Sequence, residues 1–168
     1  MLSVEIIFRP FQKSDMDALY FLDQYAVAPS LRFSYGQLLS TLLDRDVSAL
    51  VAVIQDPQGK TIKLVGALII RGEPYKRVLN VLSLVVHPEF RRKKLGSQLL
   101  EWAVRTAQGL AFPTLQVPLE AGNPEGEAFL TRWGFAAVEE QNAFFSDPAQ
   151  GRLWRRTLEI PPTAPVPA

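Results

Sequence analysis

Val78 to Gln108 reads VLNVLSLVVHPEFRRKKLGSQLLEWAVRTAQ, and the order of residue types in it decides the fold. Val78 to Val86 is an apolar, β-branched run of the length expected for a strand buried on both faces. His87-Pro88 stops it, because proline cannot continue a ladder and pushes the residue before it toward extended backbone. Arg91, Arg92, Lys93 and Lys94 follow, and from Leu95-Gly96-Ser97 onward Leu95, Leu99 and Ala103 recur at helical spacing. A helix therefore starts after the cations, its positive end facing the turn. Unsatisfied N–H groups at a helix start favour anions, Gly96 admits a ligand close to the backbone, and the cations add charge. Four cations in succession are also the ordinary composition of a solvated loop. Their place between a buried strand and an amphipathic helix points instead to a cradle for a pyrophosphate.

The chain has 168 residues, enough for one domain with a substantial core, and residues 1–160 are expected to form it. Lys and Arg number 18 against 17 Asp and Glu, so no global field draws the chain to nucleic acid or to an anionic membrane. The basic run is a local feature. Without cysteine there are no disulfides, thiolate metal sites or cysteine nucleophile, and a single histidine makes a histidine-based metal site unexpected. No apolar run approaches the ~20 residues of a membrane span, and Glu5 and Arg9 interrupt the amino terminus. A cytoplasmic protein with no metal and no membrane or nucleic-acid partner is the expectation, and a homodimer is an assembly the sequence leaves open.

Seven strands and four helices can be placed along the chain. Val4 to Phe8 reads as a first strand ended by Arg9-Pro10, and Ser14 with Asp17 as a capping box for a helix reaching Tyr25. Ser34 with Gln37 opens a second helix whose Leu38, Leu39, Leu42 and Leu43 form an apolar stripe. Ser48 to Gln55 and Thr61 to Ile70 are strands joined by the turn Asp56 to Gly59, which implies an antiparallel hairpin, and Arg71 to Arg77 is a loop. After the central helix, Thr114 to Val117 is a strand whose regular pairing Pro118 ends early. It is expected beside the central strand and parted from it at a split, where unpaired backbone groups can hold a ligand. Asn123-Pro124 starts the fourth helix and Gly134 closes it, with last strands at Ala137 to Glu140 and Arg152 to Ile160. Residues 161–168, PPTAPVPA, have little to bury and read as a disordered tail. Trp102 and Trp133 are assigned to the core, and His87 to a structural or solvent-facing turn.

Val86-His87-Pro88 followed by Arg91-Arg92-Lys93-Lys94-Leu95-Gly96 resembles the signature of the GNAT (GCN5-related N-acetyltransferase) superfamily. That resemblance implies a three-layer α/β/α fold on a mixed, mostly antiparallel sheet, with acetyl-coenzyme A as co-substrate. It implies that Arg91, Arg92, Lys93, Lys94, Leu95, Gly96 and Ser97 hold the pyrophosphate, and that Leu84, Val85 and Val86 bond the pantetheine arm through their backbone. Lys94 stands where the family usually has its first glycine. Asn123 to Phe135, NPEGEAFLTRWGF, resembles the second signature and adds Asn123 to the coenzyme site, while Gly126 replaces a small alanine. Leu130 stands where many members carry a tyrosine that protonates the leaving thiolate.

Leu115-Gln116-Val117, Phe144-Phe145-Ser146-Asp147 and Gln24 to Ser34 are similar to segments of the branch that acetylates ribosomal-protein alanine termini. The implied activity is acetyl transfer to a primary amine, with a peptide or protein amino terminus as acceptor. A small-molecule amine is the alternative acceptor, and a coenzyme-binding sensor with weakened catalysis is the alternative class. Gln116 occupies the place of the branch's general base, and an amide cannot accept the amine's proton. Glu120, acting through a water, is the substitute, with Glu73 as the other candidate. Phe144 and Phe145 read either as packing or as the lining of a peptide groove.

Overall fold

A computed structural model describes residues 4–161 except 141, 143, 146 and 148. Among the described residues are seven strands: β1 (Glu5–Pro10), β2 (Val47–Gln55), β3 (Thr61–Glu73), β4 (Val78–Val86), β5 (Thr114–Glu120), β6 (Ala136–Val138) and β7 (Gly151–Thr157). Four helices accompany them: α1 (Met16–Ala26), α2 (Tyr35–Leu43), α3 (Leu95–Gly109) and α4 (Pro124–Arg132). The strands form one mixed sheet in the order β1-β2-β3-β4-β5-β7-β6. The proline-rich tail expected at 161–168 lies outside the described residues, save Pro161. Among the described residues no helix is long and apolar enough to cross a membrane.

The chain gathers into two compact units, Met1–Ile70 with Ser83–Trp102, and Arg71–Leu82 with Ala103–Ala168. In the first, β1 pairs antiparallel with β2 from Glu5↔Gln55 to Pro10↔Leu50. Arg9 and Pro10 therefore belong to the strand, contrary to expectation. An outermost strand tolerates proline because one of its sides has no ladder to break. The first helix also starts otherwise than the sequence suggested. Gln12 and Asp15, not Ser14 and Asp17, form the reciprocal box, on a short 3-10 turn that leads into Met16. Asp15 is held there by both terminal nitrogens of Arg9, at 2.7 and 2.8 Å. Ser34 and Gln37 do cap α2 as expected. Of its leucines only Leu38 is fully buried, while Leu39 is 42% and Leu43 70% exposed.

Asp56 closes the β2–β3 turn by accepting the N–H groups of Gln58 and Lys60 at 3.0 and 2.8 Å. Gly59 takes the positive φ of 82° that this turn needs. Connections this short allow only antiparallel pairing. Ala52, Val65 and Leu95 form a fully buried cluster, with Ile6, Phe8, Ile54, Val86 and Phe90 packed against it. Trp102, assigned to the core from sequence, is 50% exposed.

In the second unit β3 runs on through Glu73, so the expected loop shrinks to a turn with Arg77 at φ 56°. Gly72 is kept small by Phe112, whose ring would lie 3.0 Å from an added Cβ. β4 and β5 pair in parallel at three positions, Val78↔Thr114, Leu79↔Leu115 and Asn80↔Gln116, and the pairing stops there. β5 itself continues to Glu120 in an antiparallel ladder with β7, from Thr114↔Thr157 to Glu120↔Gly151. Pro118 sits inside that ladder opposite Leu153. It does not end the strand, as the sequence suggested; what stops short is the pairing with β4. β6 and β7 are both shorter than expected.

α4 closes as its sequence indicates. The Phe135 N–H reaches the Leu130 carbonyl at 2.9 Å and the Gly134 N–H the Thr131 carbonyl at 3.0 Å, with Gly134 at φ 84°. This is a Schellman closure, which glycine adopts without Cβ strain. Trp133 is partly buried and faces Phe129, their ring centroids 6.4 Å apart. Phe145 is buried and therefore packs, Phe144 is partly buried, and Ser146 of the same resemblance lies outside the described residues.

Candidate functional site

The cationic turn is built where the sequence placed it. His87 leaves β4 and the following 3-10 turn, Pro88 to Phe90, is capped by its imidazole: the Glu89 N–H donates to His87 Nδ1 at 3.2 Å. The ring also lies 5.3 Å from Tyr25 and 5.7 Å from Phe90, centroid to centroid, so His87 has the structural role its context indicated. Arg91 to Lys94 are all exposed. Arg92 and Lys94 take φ of 68° and 62°, a left-handed backbone that costs about 1–2 kcal/mol for each residue with a Cβ. The glycine that the resemblance led one to expect at position 94 would remove that strain.

α3 begins at Leu95, and its first helical bond runs from the Gln98 N–H to the Lys94 carbonyl at 3.0 Å. Helix geometry therefore leaves the N–H groups of Leu95, Gly96 and Ser97 without an intrahelical acceptor, facing the cations. The Leu95 side chain is buried in the core, so only its backbone can serve a ligand. Lys93 Nζ sits 5.3 Å from the centre of the Phe90 ring, and Lys63 Nζ 5.7 Å from it. Lys63 thus stands beside the turn, its Nζ 4.0 Å from Glu89 Oε2, so that its charge is shared with that carboxylate. Sequence reading missed it, because a lone lysine in a distant strand carries no motif. At the end of β4, the His87 N–H pairs with the Val65 carbonyl at 2.8 Å, so the strand is held on its β3 side. Of Leu84, Val85 and Val86 in this strand, only Val85 is fully buried.

In the second unit, Glu120 is the last residue of β5 and partly buried. Its Oε1 accepts from Asn123 Nδ2 at 2.7 Å, while Asn123 Oδ1 accepts the Gly126 N–H at 2.8 Å as the cap of α4. The structure thus brings Glu120 and Asn123 together. Glu73 is placed at the tip of the β3–β4 hairpin, 3.6 Å from Lys76 Nζ. Leu130 is buried, which makes its position part of the core.

Gln116 is a node. Its Nε2 donates to Asn80 Oδ1 at 2.9 Å and its Oε1 accepts from Arg155 Nε at 2.8 Å. Arg155 in turn donates both terminal nitrogens to Glu140, at 3.0 and 2.8 Å, and so holds that carboxyl below its usual range. Both ends of the Gln116 amide are occupied, and neither can take a proton at neutral pH. Among the described residues no buried side-chain nitrogen or oxygen lacks a hydrogen bond, and no group of three or more metal-binding side chains occurs.

A model of the Acetyltransferase (GNAT) family matches residues 15–135. Mycothiol acetyltransferase of Jonesia denitrificans is 30% identical over 88 residues, 52% of this chain and 28% of that protein's length. The match therefore spans under a third of that relative. Among solved structures, the ribosomal-protein-S18-alanine N-acetyltransferase of Escherichia coli superposes with a TM-score of 0.75 at 16% identity, over 95% of this chain and 97% of that one. The PaiA N-acetyltransferase of Thermoplasma acidophilum, in complex with coenzyme A, gives 0.71 at 16% identity, over 93% and 99%. At these identities the two structures establish a shared fold.

Proposed function

Since the chain belongs to the GNAT acetyltransferase family, we propose that it binds acetyl-coenzyme A and transfers the acetyl group to a primary amine, a peptide or protein amino terminus being the favoured acceptor. The observation that carries this reading is the exposed cationic turn, Arg91 to Lys94, leading into the open N–H groups of α3 and following a strand whose pairing with β5 ends at Asn80. Anionic phosphates are the ligands such a turn suits. The coenzyme-bound relative of the same fold supports the choice of ligand.

In this reading the turn holds the pyrophosphate and the backbone of Leu84 to Val86 bonds the pantetheine arm. The neutral amine attacks the thioester carbonyl carbon. The new C–N bond forms, the C–S bond breaks, and the electron pair leaves with the sulfur as thiolate. Glu120, directly or through a water, takes the proton that the nitrogen loses. Leucine at 130 cannot donate a proton, so solvent protonates the thiolate. Positioning supplies most of the acceleration.

The similarity to mycothiol acetyltransferase favours a low-molecular-weight amine as the second acceptor reading. The occupied amide of Gln116 and the buried Leu130 favour a third, a coenzyme sensor without transfer. Calorimetric titration with acetyl-coenzyme A, followed by thiol release with peptides and small amines, tests all three. Binding with release is expected, fastest on a peptide terminus. Binding without release on any amine supports the sensor, and no binding overturns every version.

A further inference from the structure

Glu120 and the helix after it are joined through one side chain. Asn123 spends its oxygen on the Gly126 N–H, at 2.8 Å, and one N–H on Glu120 Oε1, at 2.7 Å. Gly126 makes this arrangement fit. A Cβ at that position would lie 2.8 Å from Asn123 Nδ2, 3.0 Å from its Cγ and 2.7 Å from Leu119 Cδ1. Even alanine would drive the amide away from the carboxylate. The amide can turn back to Glu120 because residue 126 has no side chain.

Resting on the reading of Glu120 as base, we infer that Asn123 is its positioning residue, and that Gly126 provides the room for it. Two constraints then fix the carboxylate. Pairing of Glu120 with Gly151 in the β5–β7 ladder sets its backbone, and the Asn123 amide holds Oε1. Oε2 is left to take the proton from the amine. A glutamate side chain has several rotamers open to it, and selecting one before the substrate arrives removes that ordering from the barrier.

A coenzyme contact and a positioning contact move different measurements. The first shows in affinity for acetyl-coenzyme A, the second in turnover and its pH dependence. In the full chain, Asn123→Ser keeps a helix cap and loses the donor to Glu120. Asn123→Asp keeps the cap and puts a second carboxylate where the donor stood. Gly126→Ala leaves Asn123 in the sequence and displaces it. Each is compared with Glu120→Gln by melting temperature, calorimetric affinity and thiol-release turnover against pH. The ¹³C signal of the Glu120 side-chain carboxyl, assigned by its loss in Glu120→Gln, is followed through a pH titration and needs no acceptor.

Asn123→Ser and Gly126→Ala are expected to lower turnover about tenfold with acetyl-coenzyme A affinity within about twofold of wild type. Asn123→Asp is expected to shift both the acid limb of the profile and the carboxyl titration upward by about one pH unit, because two like charges resist sharing the site. Turnover unchanged in Glu120→Gln would overturn the base and the positioning role together. Turnover lost in Glu120→Gln, with wild-type profiles and wild-type carboxyl titrations in the other three variants, overturns positioning alone. Weakened coenzyme affinity at unchanged turnover returns Asn123 to the coenzyme site. A wild-type chain that releases no thiol with any amine removes the transfer reading, and the positioning role with it.

Discussion

Lys94 holds a left-handed backbone at φ 62° in the turn that the sequence picked out for phosphate. Lys94→Gly is expected to stabilise the fold by about 0.5–1 kcal/mol, read from urea denaturation, since glycine enters that region without the Cβ penalty. Gln116 answers in the opposite sense. Gln116→Leu leaves Asn80 Oδ1 and Arg155 Nε without the partner each has now, at a buried position. A loss of roughly 2–3 kcal/mol in the same measurement is expected. These residues also show what single positions disclose. The turn could be read because its strand, cations and helix are consecutive in the chain. Gln116 could be recognised as an unfit base from its chemistry alone, but its role as a node could not, since Asn80 and Arg155 reach it from other strands. Gly126 looked like a neutral exchange until the position of the Asn123 amide was known.

Elements were legible where their signals are local. Ser34 with Gln37 and the Gly134 closure are complete within a few residues, and both were read correctly from the sequence. The start of α1 was misread because Gln12 and Asp15 are chosen by a tertiary partner, Arg9, that cap rules do not contain. That junction carries a pH dependence. Burial pushes the Asp15 carboxyl up, yet the Arg9 hydrogen bonds, the Gln12 N–H and the Arg9 charge outweigh it, and the net value lies below the ordinary one. Its contribution to stability is present above pH about 4 and is lost as pH falls through the folded-state value. Asp23 has the opposite sign: burial raises it, against the Phe33 N–H, Gln24 and Arg32. The folded state therefore holds that proton more tightly, and stability is lost as pH climbs from about 4 through the raised value. Asp23→Asn is expected to remove this opposing slope, so that stability falls more steeply than in wild type as pH drops from the raised value toward about 4, followed by urea midpoints.

Across the whole molecule, the mixed sheet of seven strands, the place of β5 beside β4 and the early end of their pairing match the expectation. Strand ends do not, because cross-strand partners rather than local sequence decide them: β3 and β5 run past a glycine and a proline that read as breaks. Ligand linkage acts at this scale too. Acetyl-coenzyme A at about a hundred times its dissociation constant is expected to stabilise the fold by about 2.7 kcal/mol, seen as a rise in melting temperature. Inorganic pyrophosphate, offering the turn alone, is expected to give a smaller rise. The two outermost strands bear on a different property, behaviour in crowded or heated solution. One side of β1 is open and ends on Pro10, and β6 spans three residues. Among the described residues the β6 border is too short for a long row of free N–H and C=O groups, and the β1 border is six residues that stop at a proline. A strand added by another copy at either edge is therefore limited to a short register, and the longer templates, β3 and β4, lie inside the sheet until unfolding uncovers them.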